Sequence, residues 1–279
     1  MSEHVDAWRS VAAGWERQRG LFLDSTLVVS ERLVELLDPQ PGETILELAA
    51  GPGDTGLLAA QSLTPGGRLV STDLAPEMVQ AAERRAAELG LDEDLVSFQV
   101  EDMTALSFDD AMFDGIVCRW GLMLAPDVDG AAGEVTRVLR PGGRVALAAW
   151  ADPDDNDWMT AAGRSALELG LAERPEPGAP GPFRLAPEGL LEGVLAAAGL
   201  TVETVEDVAL TWRVPGLSEW WAVAQDTSRA LALILERASE EEASAVRAGG
   251  ERRLERYVQP DGSLAVPGRT HVALARRRA

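Results

Sequence analysis

Lysine is absent from this 279-residue chain, and all 25 basic residues are arginine. That removes the P-loop lysine and lysine Schiff-base chemistry from consideration. Histidine occurs only at His4 and His271, too few for a histidine metal site and a poor start for a Ser-His-Asp triad. The single cysteine, Cys118, allows no intramolecular disulfide. The single tyrosine, Tyr257, lies on a polar helical segment that gives a catalytic base no setting. The opening MSEHVDAWRS has no basic region followed by an apolar run, and no apolar stretch is long enough to span a bilayer. The expectation is a cytoplasmic protein with no leader and no membrane partner. Against 46 acidic residues the arginines leave a net charge of -21, spread along the chain as a solvated, repulsive surface. Nucleic acid is not an expected partner, because phosphate binding needs a basic face. The one basic run, Arg276-Arg277-Arg278, reads as a frayed tail. Whatever chemistry the chain performs must need few special side chains.

What is present is an alternation of strands and helices. Two helices are expected within 5–38, with Trp8, Val11, Ala12 and Trp15 at helical spacing, before Pro39-Gln40-Pro41-Gly42 breaks the chain. Strands are expected at Glu43–Ala49, Arg68–Thr72, Val96–Glu101, Phe113–Cys118 and Arg144–Trp150. Helices are expected at Asp54–Ser62, Pro76–Leu89 and Val128–Leu139, the last closed by Pro141-Gly142-Gly143. This pattern implies a parallel sheet covered on both faces. Past Trp150 the texture changes. Helices are read at Trp158–Leu169, Pro187–Ala198 and Ser218–Ala248, and strands at Thr201–Leu210 and Arg269–Ala275, the last returning antiparallel.

GPGDTG, Gly51–Gly56, follows the first strand and opens the first core helix, a literal GxGxxG in the right context for a nucleotide-like ligand. Asp73, about twenty residues further at the end of strand two, suits a ribose diol. A dinucleotide and S-adenosylmethionine would both use it, so Asp73 alone does not decide between them. Glu47, at the end of strand one, would repel a pyrophosphate and attract an ammonium group. Asp102, at the end of strand three, suits an adenine amino group, with Met103 and Leu74 as apolar faces for the ring. Carboxylates at three successive strand ends favour a cationic ligand without phosphate.

ILELAAGPGDTG, VSTDLAPEMVQAA, VEDMTALSF and FDGIVCRWGLMLAPD…EVTRVLRPGGRVALAAW together resemble class I S-adenosylmethionine-dependent methyltransferases. The resemblance is to the small-molecule group that includes ubiquinone/menaquinone C-methyltransferase-like proteins, and it is firm over Gly42–Trp150. It implies a Rossmann-like three-layer α/β fold with a mostly parallel seven-stranded sheet, an antiparallel last strand and a helical lid. It implies that Glu47, Ala49, Gly51 and Gly53 line the methionine end of S-adenosylmethionine. Asp73 would hold the ribose, Leu74 the adenine face, and Asp102 and Met103 the adenine edge. Arg119 and Trp120 would sit beside the sulfonium. Met78, in the helix after strand two, and Trp15, on a covering N-terminal helix, complete the cofactor set.

The expected organisation is lid helices at 1–38, a cofactor-binding core at 39–210, a helical insertion at 211–262 and a last core strand and tail at 263–279. The acidic turn Asp152–Asp157 is tempting as a Mg²⁺ site, but strand four ends in Cys118-Arg119 and a helix cap explains the turn, so no metal is expected. The tryptophans at 150, 158, 212, 220 and 221 read singly as core, and together as in part lining an apolar pocket. His271 reads as structural. The expected reaction is methyl transfer to a small, partly apolar molecule, by positioning rather than by a named base; a homodimer is compatible. An NAD(P)-binding oxidoreductase and a non-catalytic relative are the rivals.

Overall fold

The computed structural model describes residues 13–279, and the part of the N-terminal helices at 5–12 lies outside them. The chain divides into two compact units. The first, here the sheet unit, comprises Leu27–Ala151, Gly178–Val208 and Thr270–Ala279; the second, the helical unit, comprises the residues up to Thr26, Asp152–Pro177 and Ala209–Arg269.

Helix α1 (Arg19–Leu37) leads into β1 (Thr44–Glu47), α2 (Asp54–Ala60), β2 (Arg68–Asp73), α3 (Pro76–Glu88), β3 (Val96–Val100), β4 (Phe113–Arg119), α4 (Val128–Val138) and β5 (Leu139–Trp150). The first five strands run parallel. Their residues face helices on both sides, which is why β1 and β4 are almost wholly buried and read as continuous apolar runs rather than alternating ones. After α5 (Asp157–Glu168) and α6 (Leu190–Ala197), β6 (Leu200–Val214) leads into α7 (Leu217–Thr227), α8 (Arg229–Leu235), α9 (Glu240–Leu254) and β7 (Leu264–Arg277). The sheet order is β3-β2-β1-β4-β5-β7-β6, and β7 lies antiparallel to β5. This is the expected Rossmann-like architecture. The order reverses between β1 and β4, so the crevice at the C-terminal ends of these strands is where such a sheet receives a ligand.

Several expected boundaries move. Pro141-Gly142-Gly143 does not stop the chain: a register shift between Phe113↔Leu139 and Gly115↔Arg144 takes these residues up inside β5. The helix read at Ser218–Ala248 is three helices. Ser228 caps α8 by accepting from Leu231 N, and Ser239 forms a capping box with Glu242 at α9. The arginine tail is not frayed. Arg276 donates to Glu203 and to Gly142 O, and Arg277 to the carbonyls of Arg137 and Leu139, so β7 runs on to Arg277.

Within the helical unit the interior is aromatic. Trp158 stacks on Trp212 (5.1 Å, 9°), Phe22 meets Trp212 edge-on at 5.1 Å, and Trp15 tilts against Phe22 at 4.2 Å. Trp220 Nε1 donates to Trp158 O at 3.1 Å, giving a buried indole N–H its partner. Each carboxylate of the acidic turn meets a neighbour of its own: Asp152 accepts from Asp154 N, Asp154 pairs with Arg164, Asp155 with Arg269, and Asp157 with Arg256 and Tyr257.

Candidate functional site

The glycine loop leaves β1 through a run of left-handed residues: Ala49 (φ 51°), Gly51 (φ 55°) and Gly53 (φ 86°). Ala49 carries a side chain in a region that favours glycine, and so does Trp120 (φ 59°), just past the end of the adjacent strand β4. Such conformations cost about 1 kcal/mol or more each and persist where packing fixes them. Here it does: a Cβ placed on Gly121 would come within 2.5 Å of Ala49 Cβ and 3.3 Å of Met103 Cε. The ends of β1, β3 and β4 therefore meet at one point.

Glu47 is 2% exposed and points beneath the loop. One oxygen accepts from Gly56 N (2.6 Å) and the other from Ser71 Oγ (2.7 Å). Burial pushes its pKa up to about 7, against the lowering effect of these bonds and of Arg119. The third glycine of the motif is required by this carboxylate, because a Cβ on Gly56 would lie 2.2 Å from Glu47 Oε2. Asp73 clamps the loop from the other side, accepting from Gly51 N and Ala75 N, each at 2.9 Å, and burial raises its pKa. Leu74 follows, half-buried, and Met78 is buried in the first turn of α3. Asp102 accepts from the backbone and hydroxyl of Thr104, while its neighbour Glu101 holds Ser107.

Arg119 turns inward. It donates to Ser30 Oγ at 2.9 Å and meets Asp54 Oδ2 at 3.4 Å. Trp120 stacks on Trp150 (4.0 Å, 13°), and its indole N–H donates to Thr270 Oγ1 at 2.8 Å, which in turn donates to Ala149 O. Eleven of the twelve expected residues thus lie in the sheet unit, on or beside the loops after β1 to β4, while Trp15 belongs to the helical unit. Asp54 and Thr270 were not expected. Asp54 stood in the motif itself, but its bond to Arg119 spans 65 residues, and no local pattern announces it.

Three nucleophilic or basic groups have partners or burial of their own. Cys118 is buried and its pKa is pushed up to about 12. Tyr257 donates to Asp157, and its pKa is raised by burial and by that carboxylate. His271 faces Asp207 Oδ1 at 2.7 Å and Ala186 O at 3.3 Å, in keeping with a structural role. Among the described residues no group of three potential metal ligands clusters, and no helix is long and apolar enough to cross a membrane.

Residues 45–143 match the family model described as a methyltransferase domain. Nocamycin O-methyltransferase of Saccharothrix syringae is 36% identical over 138 residues, 48% of each chain. Demethylmenaquinone methyltransferase of Thermus thermophilus is 37% identical over 122 residues, 44% of this chain and 54% of that one. This chain therefore spans about half the length of these curated relatives. A crystal structure from Bacillus halodurans C-125 superposes with a TM-score of 0.60 at 16% identity, covering 90% of this chain and 99% of that one, which shows the shared fold. The resemblance to class I small-molecule methyltransferases is borne out by these matches.

Proposed function

We propose that the chain, with its methyltransferase domain over residues 45–143, transfers a methyl group from S-adenosylmethionine to a small, partly apolar molecule. The observation that carries the choice of ligand is the carboxylate of Glu47 on Gly56 N–H. In a dinucleotide fold the start of this helix offers its N–H groups to a pyrophosphate. Here a buried acid already accepts a hydrogen bond from one of them, and Asp54 and Asp73 add negative charge beside it. That surrounding suits a ligand with ribose, adenine and positive charge, and opposes phosphate.

On this reading Asp73 keeps its two backbone bonds and accepts from the ribose hydroxyls with its remaining lone pairs. Leu74 and Met78 face the adenine ring, and Asp102 and Met103 its edge. Ala49, Gly51 and Gly53 lie along the amino-acid portion, with Arg119 and Trp120 towards the sulfonium. The cofactor supplies an activated methyl group with a neutral leaving group. The protein's task is to hold the acceptor in line and exclude water, which needs no strong base. The bound states of Cys118, Tyr257 and His271 are in keeping with an acceptor that is already nucleophilic. The matched relatives align over about half of their length and carry names with different acceptors, which supports placing substrate choice outside the part they share.

Calorimetric titration with S-adenosylmethionine and S-adenosylhomocysteine, with NADH and NADPH as controls, tests the proposal. The expected result is micromolar binding of the sulfur nucleotides alone, weakened at least about tenfold in Asp73→Ala by loss of charge-assisted ribose bonds. Binding of a nicotinamide nucleotide instead would overturn it.

A further inference from the structure

Trp120 is a bulky residue in the left-handed region, at φ 59°; among the described residues the other side chains at positive φ are those of Asp38, Ala49 and Ala111. Glycine would take this turn without strain, so an indole kept here is kept for its contacts. One contact is the stack on Trp150. The other crosses a strand. The sheet order runs β4-β5-β7, and the indole N–H of Trp120, just past β4, reaches beyond β5 to Thr270 Oγ1 on β7 at 2.8 Å. Trp150 and Thr270 are partners in the register of β5 with β7, so both contacts come from one rung of that ladder.

Thr270 is 0% exposed, on a strand that otherwise buries aliphatic side chains such as Val266, Val272 and Ala273. A hydroxyl there loses its hydration and is kept only where its donor and acceptor roles are both filled. Both are. The oxygen accepts from Trp120 Nε1, and the hydroxyl donates to Ala149 O at 2.6 Å, with His271 O further off at 3.4 Å. Valine would fill the same space and make neither bond. The residue after Trp120 carries the consequence into the site. Gly121 lies so close to its neighbours that a Cβ on it would come within 2.5 Å of Ala49 Cβ and 3.3 Å of Met103 Cε. The turn at Trp120 therefore backs the loops after β1 and β3, and the indole fixes the turn.

We propose that Thr270 is a positioning residue of the site: its hydroxyl holds the Trp120 indole, and through it the Trp120–Gly121 turn, against Ala49 and Met103. The assignment rests on the S-adenosylmethionine reading, in which Ala49 and Met103 line the cofactor. It places a determinant of cofactor affinity on the last strand, outside the matched domain, which ends at residue 143.

Calorimetry of the full chain with S-adenosylhomocysteine tests it. Thr270→Val, which keeps the shape and removes the hydroxyl, is expected to weaken binding about fivefold, and Thr270→Ser, which restores the hydroxyl, to stay within about twofold of wild type. Val272→Ala opens a cavity on the same strand and leaves the hydroxyl in place; it is expected to lower the melting temperature and keep affinity within about twofold. No loss in Thr270→Val, or an equal loss in Val272→Ala or Thr270→Ser, would overturn the assignment. In a Trp120→Phe background, which has no indole N–H, Thr270→Val is expected to add no further loss; the same loss in both backgrounds would show that Thr270 does not act through Trp120. Should Thr270→Val fail to fold by its thermal melt, the wild-type protein decides by hydrogen exchange. Whatever the bond adds to affinity the ligand returns to the bond, so S-adenosylhomocysteine is expected to slow exchange of the Trp120 indole proton about fivefold. That proton is identified by its loss in Trp120→Phe, and exchange unchanged by ligand removes the assignment. Wild-type protein that does not bind S-adenosylhomocysteine removes the cofactor reading and this assignment with it; binding that is indifferent to the Thr270 hydroxyl removes the assignment alone.

Discussion

Beneath the glycine loop the sheet unit buries Glu47, Asp54, Thr55, Ser71 and Thr72; Ser71 and Thr72 donate to Glu47, Thr55 is joined to Ser30, and Asp54 meets Arg119. The helical unit buries Trp158, Trp212, Trp220 and Trp221, held mainly by ring contact. One interior is specified by donors and acceptors, the other by volume and shape. A polar interior of the first kind fixes a few atoms closely enough to receive a ligand, and it tolerates few residues at each point. An aromatic interior supplies much buried area but accepts changes that preserve size. The family match follows the first kind and stops at residue 143.

Substitutions can break or sharpen this contrast. The largest effect is expected from Trp212→Ala, which removes a ring 1% exposed and packed against both Phe22 and Trp158. It should cost about 3–5 kcal/mol in chemical denaturation, whereas Trp212→Phe should recover most of that loss. A Trp212→Phe protein as unstable as the alanine variant would show that the aromatic interior also depends on particular atoms. Next comes Gly56→Ala, whose added carbon meets Glu47 Oε2. It should cost about 1–3 kcal/mol and abolish S-adenosylhomocysteine binding even where the protein still folds. Retained affinity would separate the loop's shape from its function.

The smallest effect is one of slope. Burial raises the pKa of Glu47 from 4.5 to about 7, so between these values the folded chain binds more protons than the unfolded one. Glu47 therefore lowers stability as pH rises through that window, by at most about 1.4 kcal/mol per pH unit. Glu47→Gln should remove this share of the slope and melt higher than wild type at pH 8, with the difference shrinking towards pH 5. Parallel stability curves would mean that Glu47 stays ionised throughout.

Much of the sheet was legible because strands β1 to β5 are apolar runs punctuated by glycine and proline. What escaped was decided at a distance. Pro141-Gly142-Gly143 looks like a stop from its own residues, and only the pairing of β4 with β5 turns it into an irregularity within a strand. Ser228 and Ser239 look like surface until their hydroxyls are seen capping helices. The arginine tail looks frayed because its acceptors lie 73 to 140 residues away. In the site, Glu47 and Asp73 announced themselves by their position at strand ends. Asp54 did not, because its partner Arg119 lies 65 residues away. Nothing local signals that Trp120 adopts a left-handed backbone, since its reasons are Trp150 and Thr270.

The position of β7 also constrains the order of assembly. Strands β1 to β5 can zip together as they leave the ribosome, since each finds its partner among residues already made. β6 emerges without one: its place is at the far edge of the sheet, beyond a strand that follows only after α7, α8 and α9. Until residues 264–277 arrive, β5 and β6 each present an open hydrogen-bonding edge, the kind of surface that pairs with the wrong neighbour. Nascent chains stalled between β6 and β7 should accordingly be the form that engages chaperones, and release of the stall should end that dependence within a single folding event.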